Sequence, residues 1–142
     1  MQTLANLITT HGVDVDDHLD RDELVPTLTA LQFQGDVAVI PTGPAAPATG
    51  SGYPKPVPAA GVPVVRGENG GNTHLLLAAG TDVTWDPSTG GPTGLDLGVL
   101  TVPAGQVAYF AHPEHGYLGI GPGQYVARRQ REQADVIRLV AD

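Results

Sequence analysis

The chain contains no cysteine, which excludes disulfides, thiolate metal centres and cysteine nucleophiles. Aromatics make up only 5% of its 142 residues, and there are seven Lys or Arg against fifteen Asp or Glu, a formal charge of −8. That balance argues against nucleic acid or an anionic membrane as a main partner, since both need a basic face. No run approaches the roughly 20 apolar residues of a membrane-spanning helix. The opening Met1-Gln-Thr-Leu-Ala-Asn6 has no basic secretory leader, so a cytoplasmic protein is expected. Serine is scarce too. Ser51 and Ser88 are the only two, both in Gly-rich loops and neither in a G-x-S-x-G elbow. Gly119-Ile-Gly121-Pro-Gly123 is no phosphate loop, because Pro122 removes a donor and no helical pattern follows. No catalytic constellation is complete, and a non-enzymatic role is expected.

What is abundant is Gly and Pro, 19 and 13 residues. Each Pro removes a backbone donor and each mid-helix Gly loosens a helix, so a helical bundle is excluded. The 41% hydrophobic content, mostly Ala, Val and Leu with 15% charged residues, is too apolar for a disordered chain. Short strands punctuated by turns remain.

Leu4 to Thr10 reads as one or two helical turns stopped by Gly12. Asp20 is a plausible N-cap for a second short helix that Pro26 ends, with Glu23 in the reciprocal capping position. From Thr27 to Gln34 the pattern has period two, with Leu28, Ala30 and Gln32 on one face and Thr29, Leu31 and Phe33 on the other. Gly35-Asp36 marks a turn and Val37 to Ile40 a short apolar strand, which together predict a hairpin. Seven further strands are expected at 62–67, 73–78, 82–85, 96–102, 106–110, 117–120 and 124–130. Residues 132–142 fit a final helix somewhat better than a strand, through Val136, Ile137, Leu139 and Val140.

The expected fold is all-β, a β-sandwich or rolled barrel of about eight strands, jelly-roll or cupin-like, with a short N-terminal helix. An acidic segment, 1–26, precedes a β domain, 27–142. Inside that domain, Pro41 to Pro63 holds seven of the thirteen prolines. Its composition favours a mobile surface loop over an arm lying along the body or a neighbouring subunit; Tyr53 and Val57 give an arm something to bury.

Charge is distributed unevenly. Asp14, Asp16, Asp17, Asp20, Asp22 and Glu23 crowd the N-terminal part, and Arg128, Arg129, Arg131 and Arg138 the C-terminal part, which invites pairing within or between chains. The acidic run fails as a calcium loop, because Leu19 stands where the loop needs Gly and Val25 where it needs Glu. It reads as a solvated face.

Five histidines carry the remaining chemistry: His11, His18, His74, His112 and His115. His74 opens a strand, and His112 and His115 flank Pro113-Glu114 in a turn. In a closed β domain these strand ends can share a rim. Neutral imidazoles there, with a carboxylate from Glu114 or Glu68, would make a set suited to a divalent transition metal.

Gly98-Val-Leu-Thr-Val-Pro103-Ala-Gly105…His112 resembles the second half of the cupin pattern, and Gly71-Asn-Thr-His74 is similar to the start of the first. That resemblance implies a metal on His74, His112, His115 and Glu114. Leu76 occupies the place of the pattern's second His, and its downstream Glu is missing. His112-Pro-Glu-His-Gly116…Gly121-Pro-Gly-Gln-Tyr125…Arg128-Arg-Gln-Arg-Glu132…Val140-Ala-Asp142 resembles the C-terminal signature of small uncharacterised bacterial β-proteins, which implies no activity.

Two functions compete, the first of them the primary expectation and the second the alternative. One is a structural or interaction module that self-associates or takes a protein partner, with Tyr53, Trp85, Arg128, Arg129 and Arg131 as interface candidates and no cofactor. The other is a metal or small-molecule binding protein built on the histidines.

Overall fold

The computed structural model describes residues 1–42, 50–65, 73–88 and 94–130. Thirteen short strands and one helix are found among them, and most strands join two sheets that face each other across an apolar interior. One sheet has the order β4 (Gln32–Gln34), β5 (Val37–Pro41), β13 (Gly123–Arg129), β10 (Asp96–Val102), β9 (Thr84–Pro87) and β6 (Lys55–Pro56), with every neighbouring pair antiparallel. The other has the order β3 (Thr27–Leu28), β12 (Gly116–Ile120), β11 (Val107–His112), β8 (His74–Ala79) and β7 (Val62–Val65). Here only β3–β12 is parallel. Among the described residues both sheets end in open edges, so the fold is a β-sandwich and not a closed barrel.

Alternation along the strands explains the interior. Val37, Val39, Leu100, Val102, Tyr125 and Ala127 face inward from the six-stranded sheet, meeting Leu76, Ala108, Phe110 and Ile120 from the five-stranded one. Phe110 and Leu76 are fully buried, each worth roughly 1.5–3 kcal/mol of transfer free energy. The intervening residues of the five-stranded sheet are buried as well. Leu77, Tyr109, Ala111 and Tyr117 pack against Leu4, Leu7, Val15 and Val25, which adds a third layer. That layer comprises β1 (Gln2–Thr3), α1 (Leu4–His11) and β2 (Leu24–Val25), with β1 and β2 paired. The helix begins where the Thr3 hydroxyl accepts from the Asn6 N–H at 3.1 Å and ends at Gly12, whose φ of 80° releases the chain.

Several expectations need correction. No second helix follows Asp20; its carboxylate accepts the Asp22 N–H at 2.9 Å, and this turn leads straight into β2. Thr27 to Gln34 is two strands: β3 belongs to one sheet and β4 to the other, with Thr29 to Leu31 crossing between them. The β4–β5 hairpin over Gly35-Asp36 is present, but its polarity is inverted. Gln32 and Gln34 are buried while Phe33 is 59% exposed. Gln32 Nε2 donates to the Gly119 carbonyl at 2.9 Å, and Gln34 Nε2 to those of Phe110 and Gly116 at 2.9 and 3.1 Å. Each amide repays its burial by tying the two sheets together.

The described part of the proline-rich segment is docked, not loose. Gly50 bridges to Ser88, Val57 packs against the interior, and β6 pairs with β9. Asp86 fixes this arm. Its buried carboxylate accepts from the N–H groups of Ser51 and Gly52, both at 2.9 Å, and from the Ser51 hydroxyl. Burial would push the Asp86 carboxyl up, but the Ser51 hydroxyl and the N–H groups of Gly52, Ser51 and Tyr53 outweigh it and hold it below the usual range.

The described terminal charges do not pair across the molecule. Arg128 reaches the buried Asp96 at 2.6 Å and Arg129 lies 3.5 Å from Asp36. Arg21 turns back on its own loop, donating to the carbonyls of Val15, Asp16 and Leu19 at 2.7–2.9 Å. A guanidinium therefore occupies the centre of the acidic segment. Arg131, Arg138, Glu68, residues 43–49 and the expected C-terminal helix lie outside the described residues.

Candidate metal centre

His74, His112 and His115 converge at one end of the sandwich. His74 is the first residue of β8, His112 the last of β11, and His115 sits in the turn to β12. Ring centroids are 4.4 Å apart for His74 and His112, 4.6 Å for His112 and His115, and 6.3 Å for His74 and His115. His74 and His112 are buried while His115 is exposed.

The facing sheet contributes the hairpin turn. Asp36 Oδ1 lies 3.4 Å from His74 Nε2, and Gly35 sits beneath the imidazoles. A Cβ at Gly35 would fall 2.9 Å from His115 Nε2 and 3.4 Å from His74 Cε1, and its φ of 58° is itself a glycine conformation. A bare backbone here opens the cradle.

The network around Gln34 fixes the protonation of His74. Both amide hydrogens of Gln34 are committed to carbonyls, so its Oε1, 3.0 Å from His74 Nδ1, is an acceptor. His74 Nδ1 therefore carries the hydrogen, and Nε2 presents a lone pair toward Asp36. Burial first, and the neighbouring His112 and His115, push the His74 pKa down to about 4 against the opposing pull of Asp36. Near neutral pH two acceptors, an imidazole nitrogen and a carboxylate oxygen, face each other.

His112 has the opposite arrangement. Its Nδ1 accepts the Glu114 N–H at 3.1 Å, which leaves the hydrogen of the neutral ring on Nε2. Burial and the nearby His115 push its pKa down, while Glu114, Asp36 and Asp16 pull it up. Glu114 thus shapes the turn through its backbone, and its side chain is exposed.

The structure brings together three of the four predicted ligands and adds one that sequence reasoning missed, Asp36. The signal for it was present: a two-residue turn joining β4 and β5 must carry its side chains to the sandwich rim. As they stand, no three His, Asp or Glu side chains among the described residues are arranged to enclose one ion. His74 and Asp36 form a ready pair, and His115 has the freedom of an exposed side chain.

Of the interface candidates, Trp85 is a core residue, 6% exposed, and Tyr53 is 78% exposed on the docked arm. Arg128 and Arg129 are partly exposed and engaged with Asp96 and Asp36. A cleft of about 140 Å³ lies beside His115, lined also by Leu19, Glu23, Leu24 and Tyr117; substrate pockets are usually about 300–1,000 Å³. No helix among the described residues is long and apolar enough to cross a membrane.

The profile of a domain of unknown function (DUF8820) matches residues 33–130, a span that includes the hairpin turn and all three clustered histidines. No curated protein and no solved structure matches the chain.

Proposed function

We propose, for a chain that belongs to the DUF8820 family and so inherits no assigned activity, that it binds a divalent transition metal ion. The ion would be held between the two sheets by His74 Nε2, the Asp36 carboxylate and His115. The observation that carries this reading is the 3.4 Å separation of His74 Nε2 and Asp36 Oδ1, with the ring hydrogen assigned to Nδ1 by the contact with Gln34 Oε1. Two donors each about 2.0–2.1 Å from an ion at a tetrahedral angle lie about 3.4 Å apart. A lone pair and a carboxylate at that distance repel each other, and a cation between them removes the repulsion. Gln34 is the partner that metal-bound histidines characteristically have, an acceptor on the far ring nitrogen. Two nitrogens and one oxygen suit zinc, iron, nickel or manganese, with a fourth position left open to solvent or a ligand. His112, with Nδ1 occupied, packs beside the ion and does not bind it.

The test is calorimetric titration of chelator-treated protein, lacking any His-tag, with Zn²⁺ and Co²⁺, followed by visible spectra of the Co²⁺ form. One equivalent is expected, with tetrahedral cobalt bands. Asp36→Asn, an exposed and conservative change, and His115→Ala should each lower affinity at least tenfold. Stoichiometric binding that Asp36→Asn leaves intact would refute the assignment, as would no saturable binding of either ion.

A further inference from the structure

From the exposed edge around β4, we infer that the protein forms a two-fold dimer in which β4 of one copy pairs antiparallel with β4 of a second, centred on Phe33. Three independent observations support it.

The first is the pairing pattern. β4 is an outer strand of the six-stranded sheet, and its register on β5 sets Gln34 opposite Val37, Phe33 opposite Ala38 and Gln32 opposite Val39. Residues flanking a two-residue turn exchange both backbone bonds, and the next pair exchanges none. Gln34 and Gln32 therefore spend their N–H and C=O groups on β5, and those of Phe33 point to the open edge. A second copy related by a two-fold axis at Phe33 would exchange both bonds with the first. It would also place the two phenyl rings opposite each other on one face, a favourable cross-strand pair.

The second is charge. Every residue from Leu24 to Gly35 is uncharged, in a chain of net charge −8. Pro26 to Leu31 and Phe33 are all exposed. Outer strands of soluble monomers are ordinarily protected by shortness, Lys, Pro, an inward-pointing charge or a bulge; β4, three residues long, has only the first of these. For a strongly acidic protein, a second copy is a partner only where neither copy presents a carboxylate, and this strip meets that condition.

The third is area. Leu28, Leu31 and Phe33 are 42%, 51% and 59% exposed, together about one and a half side chains' worth, on the order of 250–300 Å² of apolar surface. A standard interface buries about 800 Å² per partner, somewhat over half of it apolar. These three side chains supply more than half of that apolar share.

The inference is independent of the metal site. Sedimentation velocity on the full chain, with EDTA present to exclude bridging by metal, should give twice the 14.7 kDa chain mass at micromolar concentration. Phe33→Pro removes only the outward N–H, and Phe33→Lys adds a charge on the axis. Either variant, with an unchanged circular dichroism spectrum, should raise the dimer dissociation constant at least thirtyfold, while Tyr53→Ala leaves it unchanged. A wild type monomeric to several hundred micromolar would overturn the proposal, as would folded Phe33→Pro and Phe33→Lys variants that dimerise like wild type.

Discussion

Gln34 and His74 stand 40 positions apart in the chain and 3.0 Å apart in space, one on each sheet. Their contact determines which imidazole nitrogen is free. Replacing Gln34 with Leu leaves His74 Nδ1 and the carbonyls of Phe110 and Gly116 without that amide, and unmet buried groups cost about 1–3 kcal/mol each. Urea unfolding of Gln34→Leu should show a loss of at least about 2 kcal/mol. Gln34→Glu restores an acceptor for Nδ1 but loses the bonds to the carbonyls. It should retain metal affinity better than Gln34→Leu, for which a 10–100-fold drop is expected by calorimetry.

The cradle at Gly35 gives a sharper test, because the change adds a single methyl group. Gly35→Ala puts a Cβ 2.9 Å from His115 Nε2 at a φ of 58°, a conformation costing roughly 1 kcal/mol for a residue other than glycine. His115 is exposed and can swing away, so stability should fall by only about 1–2 kcal/mol. Zn²⁺ affinity should fall at least tenfold, since the swing removes one ligand. A variant with wild-type affinity would place His115 outside the site.

Asp86 predicts a pH dependence. Its carboxyl is held below the ordinary carboxylate range, so the folded state binds the proton less readily than the unfolded chain does. Its contribution is complete above that range and is lost as pH falls through it. Trp85 adjoins Asp86 and pairs with Lys55 of the arm, and it is the sole tryptophan. Emission from Trp85 should stay constant from pH 8 to about 5 and shift to the red toward pH 3. Asp86→Asn should show the shifted emission at neutral pH, and Ser51→Ala should move the transition to higher pH.

Gly119 is a position where bulk alone decides. A Cβ there would lie 2.4 Å from the Pro26 carbonyl oxygen, a backbone atom with little room to yield. Gly119→Ala should therefore separate β3 from β12 and cost more than about 2 kcal/mol in thermal or urea unfolding. Gly105→Ala meets nothing within 4 Å and should lose only what its φ of 79° imposes, about 1 kcal/mol.

Much of the sandwich was legible because turn residues and apolar alternation set strand ends locally. β10 spans Asp96 to Val102 between the turn residues Gly94 and Pro103, and α1 stops at Gly12. What was not legible depended on partners remote in sequence. Gln32 and Gln34 look like solvent-facing residues, and only the carbonyls of Phe110, Gly116 and Gly119 make their burial favourable. The three histidines were readable as strand-end residues sharing a rim. Asp36 was readable as a turn residue carried to the rim by the β4–β5 hairpin, but its closeness to His74 was not, since that follows from how the two sheets overlap. The arm was misjudged for the same reason: Pro and Ala composition suggests freedom, but Asp86, more than thirty residues away, holds it.

The placement of β13 bears on how the molecule is made. This strand, the last described, lies in the middle of its sheet, with β5 on one side and β10 on the other. A nascent chain still tethered before residue 123 has the flanks of that sheet but no centre strand to join them. Folding therefore waits until the ribosome has released residue 129, and until then the apolar flanks need a chaperone or speed to avoid other chains.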